Sequence, residues 1–178
     1  SKIGDIPIRY HREIPDNAAI KELTLNKETT GEWYVTFGLK VEDTALPEKP
    51  DVDDVDVEDC VGIDLGIQNY IYTSDGDSVD WLNLSDEYER LRREQRSLSR
   101  KEHGSNNWEK QRRKVAKVKR RIKRKAEDYQ HKLTTWLVKT YDAVFVEDLD
   151  VSGMLQQRGN ARSKQDAAWS GFIEMLEY

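Results

Sequence analysis

Residues 107–141 constrain the fold of this chain more than any other stretch. Val115, Val118, Ile122, Tyr129, Trp136 and Leu137 recur there at the three- and four-residue intervals of a narrow helical seam. Neither glycine nor proline interrupts the run. A helix of that length extends about 50 Å, longer than a small domain is wide. It therefore needs a partner along part of its length. Residues 86–101 supply one, because Tyr88, Leu91 and Leu98 share a stripe and Gly104-Ser105-Asn106-Asn107 breaks the chain between the two. The expectation is an antiparallel helical hairpin over about residues 86–140.

The faces left outside that seam are basic. The 178 residues hold 29 Lys and Arg against 34 Asp and Glu, a formal net charge of −5, but the charge is segregated. Residues 42–59 are dominated by acids, among them Glu42, Asp43, Asp51, Asp53, Asp54 and Asp56. The hairpin carries Arg100, Lys101, Arg112, Arg113, Lys117, Arg120, Arg121, Lys123 and Arg124 with few acidic partners. An ordinary charge run is a solvated helical face. A basic arm inside an acidic chain points instead to a polyanion, and these nine residues are the candidate nucleic-acid contacts. One cysteine, Cys60, excludes an internal disulfide and fits an intracellular, cytoplasmic setting. No apolar run approaches a membrane span and no signal-peptide pattern opens the chain, so no membrane partner is expected.

The remaining segments read mostly as strands. Ile6, Ile8 and Tyr10 alternate over 3–14, with Pro7 demoting that strand to an edge. Leu23 and Leu25 mark a second strand, and Thr30-Gly31 a turn. Over 32–42, Trp33, Val35, Phe37, Leu39 and Val41 point one way. The short strands of residues 1–48 suggest a small β-barrel or sheet. An extended acidic linker, 49–58, follows, kept open by Pro50 and by repulsion among aspartates. Strands at 60–67, 69–73 and 79–82 form a meander closed by Asp75-Gly76, and 143–148 is a further apolar strand ending in acid. Trp169, Phe172, Ile173 and Leu176 give 166–178 an amphipathic helix. The predicted class is α+β, with an α/β core over 59–178 that contains the hairpin as an insert.

Asp64 is the sharpest single residue. In Val61-Gly62-Ile63-Asp64-Leu65-Gly66 the alternation puts Gly62, Asp64 and Gly66 on one face, leaving a carboxylate between two positions without side chains. A ligand or phosphate backbone could approach closely there, and a carboxylate on a central strand calls for a cation or hydrogen bonds. Glu147 ends the other strongly apolar strand, and parallel pairing of 61–66 with 143–147 would bring the two together. Two hard oxygen ligands suit Mg²⁺ or Mn²⁺, which promote phosphodiester hydrolysis. Asp148 and Asp150 are rivals beyond the apolar run. His11, His103 and His131 are scattered, and neither a Cys-x-x-Cys nor a Gly-rich phosphate loop is present. Gly-Ile-Asp-Leu-Gly also resembles the first phosphate motif of actin-like and sugar-kinase ATPases. Those place Thr or Ser after the second glycine, where this chain has Ile67-Gln68, and they lack a basic hairpin between the strands.

The order of these features resembles one family. Barrel-like strands come first, then Gly62-Ile63-Asp64-Leu65-Gly66, then a basic hairpin containing Leu98-Ser99-Arg100-Lys101. Val146-Glu147-Asp148-Leu149 and a Trp169/Phe172/Leu176 helix complete it. This is similar to the TnpB (OrfB) family of insertion-sequence proteins, transposon-associated RNA-guided DNA nucleases. The resemblance implies an RNase H-like, RuvC-type core over 59–178, with Asp64 and Glu147 as catalytic, metal-binding carboxylates. It implies a hairpin lying along a guide RNA–target DNA heteroduplex, and an oligonucleotide-binding wedge barrel with Trp33 in its Gly-x-Trp-Tyr strand. Family members continue past the equivalent of Tyr178 into a zinc ribbon, the only place for Zn²⁺, and a third catalytic Asp. This sequence shows neither, so it is expected to be an incomplete nuclease, inactive alone. The alternative is a non-catalytic nucleic-acid-binding protein, a guide-directed repressor or decayed element product.

Overall fold

The computed structural model describes residues 4–41, 50–66, 68–147 and 162–177. Over the described residues the fold is mixed α+β, with two sheets and three α-helices. Two compact units divide it, Ser1–Glu48 with Arg93–Lys117, and Lys49–Arg92 with Val118–Tyr178.

In the first unit, β1 (Ala18–Lys27) and β2 (Trp33–Val41) pair antiparallel, Lys27 opposite Trp33 and Leu23 opposite Phe37. Gly31, at φ 90°, supplies the left-handed turn conformation that a side chain would resist, and its N–H donates to the Glu28 carbonyl at 2.9 Å. Residues 4–14 form no strand, contrary to the alternation of Ile6, Ile8 and Tyr10. Pro7 has no N–H to give a ladder, and the segment is held instead by Tyr10 stacking on Phe37 at 6.1 Å. No closed barrel occurs among the described residues; this unit has a two-stranded sheet.

The unit also holds the facing ends of α1 (Ser85–Ser99) and α2 (Asn106–Thr140). Gln111, buried on α2, donates to the backbone carbonyl of Glu94 at 3.1 Å and to its carboxylate at 2.6 Å. This locks the predicted antiparallel hairpin near its tip.

The second unit is built on a four-stranded sheet in the order β5-β4-β3-β6. Its strands are β3 (Cys60–Leu65), β4 (Ile71–Thr73), β5 (Ser78–Val79) and β6 (Ala143–Val146). β3, β4 and β5 form the antiparallel meander, and β6 returns parallel to β3 after the crossover that parallel pairing requires. Val61, Ile63 and Leu65 bury one face of β3 against Leu133 and Leu137 of α2 and against Trp169 and Phe172 of α3 (Arg162–Glu177). Tyr70 is enclosed at its centre, edge-on to Trp81, Tyr129 and Phe172 at 4.8–5.5 Å. Its hydroxyl accepts from Gln130 Nε2 at 3.0 Å, and burial pushes its pKa up to about 12.

Two local expectations fail for identifiable reasons. Trp136 is 40% exposed, whereas Leu133, Thr134 and Leu137 are buried. A strict seven-residue repeat drifts around an ideal helix by some 20° per heptad, so the seam that begins at Val115 and Val118 reaches 133 and 137 rather than 136. The acidic segment is not extended throughout, since Val52–Asp54 and Val57–Asp59 form single 3₁₀ turns. The Asp51 carboxylate accepts from the Asp53 N–H at 3.4 Å, and the main-chain carbonyls of Asp51 and Asp56 accept from the Asp54 and Asp59 N–H groups in the three-residue bonds of such turns.

Candidate nucleic-acid and metal interface

Asp64 lies on β3, an interior strand, and is exposed. The burial cost argued for it from sequence therefore does not arise. The solvated face of β3 takes Gly62 and Asp64, as the alternation requires, because Val61, Ile63 and Leu65 occupy the core. On β6, Phe145 pairs with Gly62 and Val146 with Ile63. Continuing that register by one residue sets Glu147 opposite Asp64, on strands whose usual spacing is about 4.8 Å. Glu147 is likewise exposed. The parallel pairing foreseen for 61–66 and 143–147 is present over 60–63 and 143–146, so Asp64 and Glu147 each follow the last paired residue of that ladder. Asp148 and Asp150 lie outside the described residues.

The glycines on this face do not play equal parts. A Cβ at Gly62 would meet Ser74 Cβ at an ordinary 3.6 Å. At Gly66 it would overlap the Tyr72 ring and come within 2.9 Å of the Asn69 carbonyl. The space above Gly66 is therefore filled by Tyr72, whose backbone pairs with Asp64, rather than left open for a ligand. Sequence reasoning missed both Tyr72 and Phe145, which is 51% exposed on the Asp64 side of the sheet. The strand register alone reveals them.

Two carboxylates and solvent fit the donor chemistry of a hexacoordinate cation, since Mg²⁺ commonly keeps several waters and takes one or two carboxylates plus phosphate oxygens. No group of three or more His, Cys, Asp or Glu able to hold a metal occurs among the described residues.

The nine basic candidates all fall on the hairpin or its connecting loop. Arg100, Arg113, Lys117, Arg121, Lys123 and Arg124 are exposed, while Lys101, Arg112 and Arg120 are half-buried. Some are tied to acids: Arg112 to Glu109 at 3.0 Å, Lys123 to Glu127 at 3.4 Å, Arg121 to Glu87 at 3.8 Å. Glu87 also accepts from Lys125, which lies outside the nine. The Lys125 hydrogen bond is the main cause holding the Glu87 carboxyl below the usual glutamate range, with Arg121 adding to it. The more exposed pairs, Arg112–Glu109 and Lys123–Glu127, contribute little to stability. His103 and His131 share the hairpin but lie far apart on it. No described helix is long and apolar enough to cross a membrane.

Paired carboxylates at the end of a sheet, with a basic helical hairpin inserted between their strands, suit a protein that acts on nucleic acid. Comparison with known proteins is specific: the OrfB family of IS605, described as “Probable transposase”, matches residues 39–158. The chain belongs to this transposase family. A relative from Streptomyces pristinaespiralis, provisionally named an RNA-guided DNA endonuclease, is 38% identical over 176 residues, 97% of this chain and 41% of its own length. InsQ of Escherichia coli, under the same provisional name, is 32% identical over 154 residues, 86% of this chain and 36% of its own. A Mycobacterium tuberculosis protein of that name is 30% identical over 115 residues, 60% of this chain and 25% of its own. The chain spans about two-fifths or less of the length of these relatives.

Proposed function

We propose that this chain carries the heteroduplex-binding hairpin and two metal-binding carboxylates of a transposon-associated, RNA-guided DNA endonuclease with an RNase H-like core. The parallel β3–β6 register, with Gly62 opposite Phe145 and Ile63 opposite Val146, is the observation that carries the reading, since continued by one residue it would set Glu147 beside Asp64. In the whole protein Asp64 and Glu147 would hold Mg²⁺ or Mn²⁺, which supplies an activated water and stabilises the leaving oxygen of the phosphodiester. The two-stranded sheet of residues 18–41 would belong to a wedge-like oligonucleotide-binding barrel. The hairpin would track the sugar–phosphate backbones of a guide RNA–target DNA hybrid, and Zn²⁺ would belong to other parts of the longer relatives.

Binding to a short RNA–DNA hybrid tests the hairpin. Affinity should fall steeply as salt rises, because phosphate contacts release counterions. Neutralising Arg120, Arg121, Lys123 and Arg124 together should flatten the log–log slope by roughly 2–4. An unchanged slope would show that this face does not hold the backbone.

A second reading is binding without cleavage, because the chain spans about two-fifths or less of the length of its relatives and the whole activity belongs to the longer molecule. The 178-residue chain is accordingly expected to bind without cutting. Metal-dependent DNA cleavage by the purified chain, abolished by Asp64→Ala, would overturn that expectation.

A further inference from the structure

The loop between α1 and α2 carries a ring pair that neither the hairpin's turn nor its phosphate contacts explain. The His103 imidazole lies 4.4 Å from the Trp108 ring, tilted by 55°, and the Arg112 guanidinium sits 5.9 Å from the same indole. His103 is exposed and Trp108 half-buried, so the indole forms the inner layer and the imidazole the outer one. The bend itself is already accounted for. Gly104 takes φ 80°, Lys101 N–H donates to the Leu98 carbonyl, and Ser105 Oγ caps α2 by accepting from the Trp108 N–H at 3.1 Å. Removing both rings would leave those bonds in place.

The surroundings select a ligand. In sequence, residues 100–114 hold Arg100, Lys101, Lys110, Arg112, Arg113 and Lys114 against two acids, Glu102 and Glu109, of which Glu109 is engaged by Arg112. An outward aromatic ring, backed by a second ring and set among cations, suits a flat π-system attached to an anion. A nucleobase on its phosphate backbone is such a group, and stacking on protein rings is a sequence-tolerant way to hold one. We infer that His103, backed by Trp108, is a stacking platform for one nucleobase at the end of the strand held by the hairpin. This rests on the nucleic-acid reading above.

The test is an affinity comparison on short RNA–DNA hybrids with a single-stranded extension, including a series in which an abasic residue replaces each nucleotide of the extension in turn. His103→Ala and Trp108→Ala should each weaken binding about tenfold, with the salt slope unchanged because no phosphate contact is lost. His103→Phe, which keeps a ring, should bind like the wild type. One abasic position should weaken the wild type by a similar factor yet leave His103→Ala unaffected, as coupling between contacting groups requires. If the wild type binds with a steep salt slope but His103→Ala and His103→Phe both match it, or both weaken alike, the platform is refuted and the hairpin reading survives. If the wild type binds no hybrid at any salt concentration, both fall together. Should Trp108→Ala loosen the loop, the two His103 variants still decide the matter.

Discussion

Gly66 shows how much a single position can hide. Its place in Gly62-Ile63-Asp64-Leu65-Gly66 reads from sequence as an opening for a ligand, and the structure fills that opening with Tyr72. Gly66→Ala should therefore destabilise the chain by about 1–3 kcal/mol through overpacking. Adding Tyr72→Ala should cost less in the Gly66→Ala background than in the wild type. Urea denaturation of the four proteins measures this coupling. Additive effects would show that the ring does not require the glycine. Asp64 and Glu147 were legible because a carboxylate ending or interrupting an apolar strand is conspicuous. Tyr72 was not, because an aromatic on a short strand gives no sign of which neighbour it covers.

At the scale of elements, the hairpin was the most legible part. Its α2 boundaries fall within a residue of those read from the seam, since a long uninterrupted helix with a glycine-serine break has few alternatives. What the sequence withheld was the register of its packing. The choice of Trp136 assumed a coiled-coil period, whereas the end of α2 leaves its partner helix and lies on a sheet. The first segment failed for the opposite reason, because alternation over 4–14 is meaningless without a neighbouring strand to pair with.

The ion cluster at Glu87 gives this element a pH signature. Its side chain is only 13% exposed and its carboxyl is held below the ordinary range, chiefly by Lys125. A carboxyl depressed on folding stabilises the fold above its unfolded pKa, and that contribution is lost as pH falls through the folded value. Thermal unfolding of the wild type should thus lose stability below about pH 4.5, and Glu87→Gln should lose less over the same interval. Parallel acid limbs in the two proteins would show that Glu87 gains nothing on folding.

Across the whole molecule, the α+β class, the sheet with a parallel return and the basic insert follow from the order of patterns along the chain. Family membership, fixed by the match over residues 39–158, agrees with that order. Net charge would have misled, since −5 describes no region of this protein. The acids concentrate before β3 and the bases on the hairpin, so the excess positive charge belongs to the hairpin alone.

The juxtaposition of Asp64 and Glu147 is tested most directly by Mn²⁺ titration of the isotopically labelled chain, reading paramagnetic line broadening by NMR. Broadening centred on residues 62–66 and 145–147, reduced by Asp64→Ala and by Glu147→Ala alike with the rest of the spectrum unchanged, is the expected result. Broadening confined to the acidic residues 50–59, or unaltered in either variant, would contradict a shared metal site at the end of this sheet.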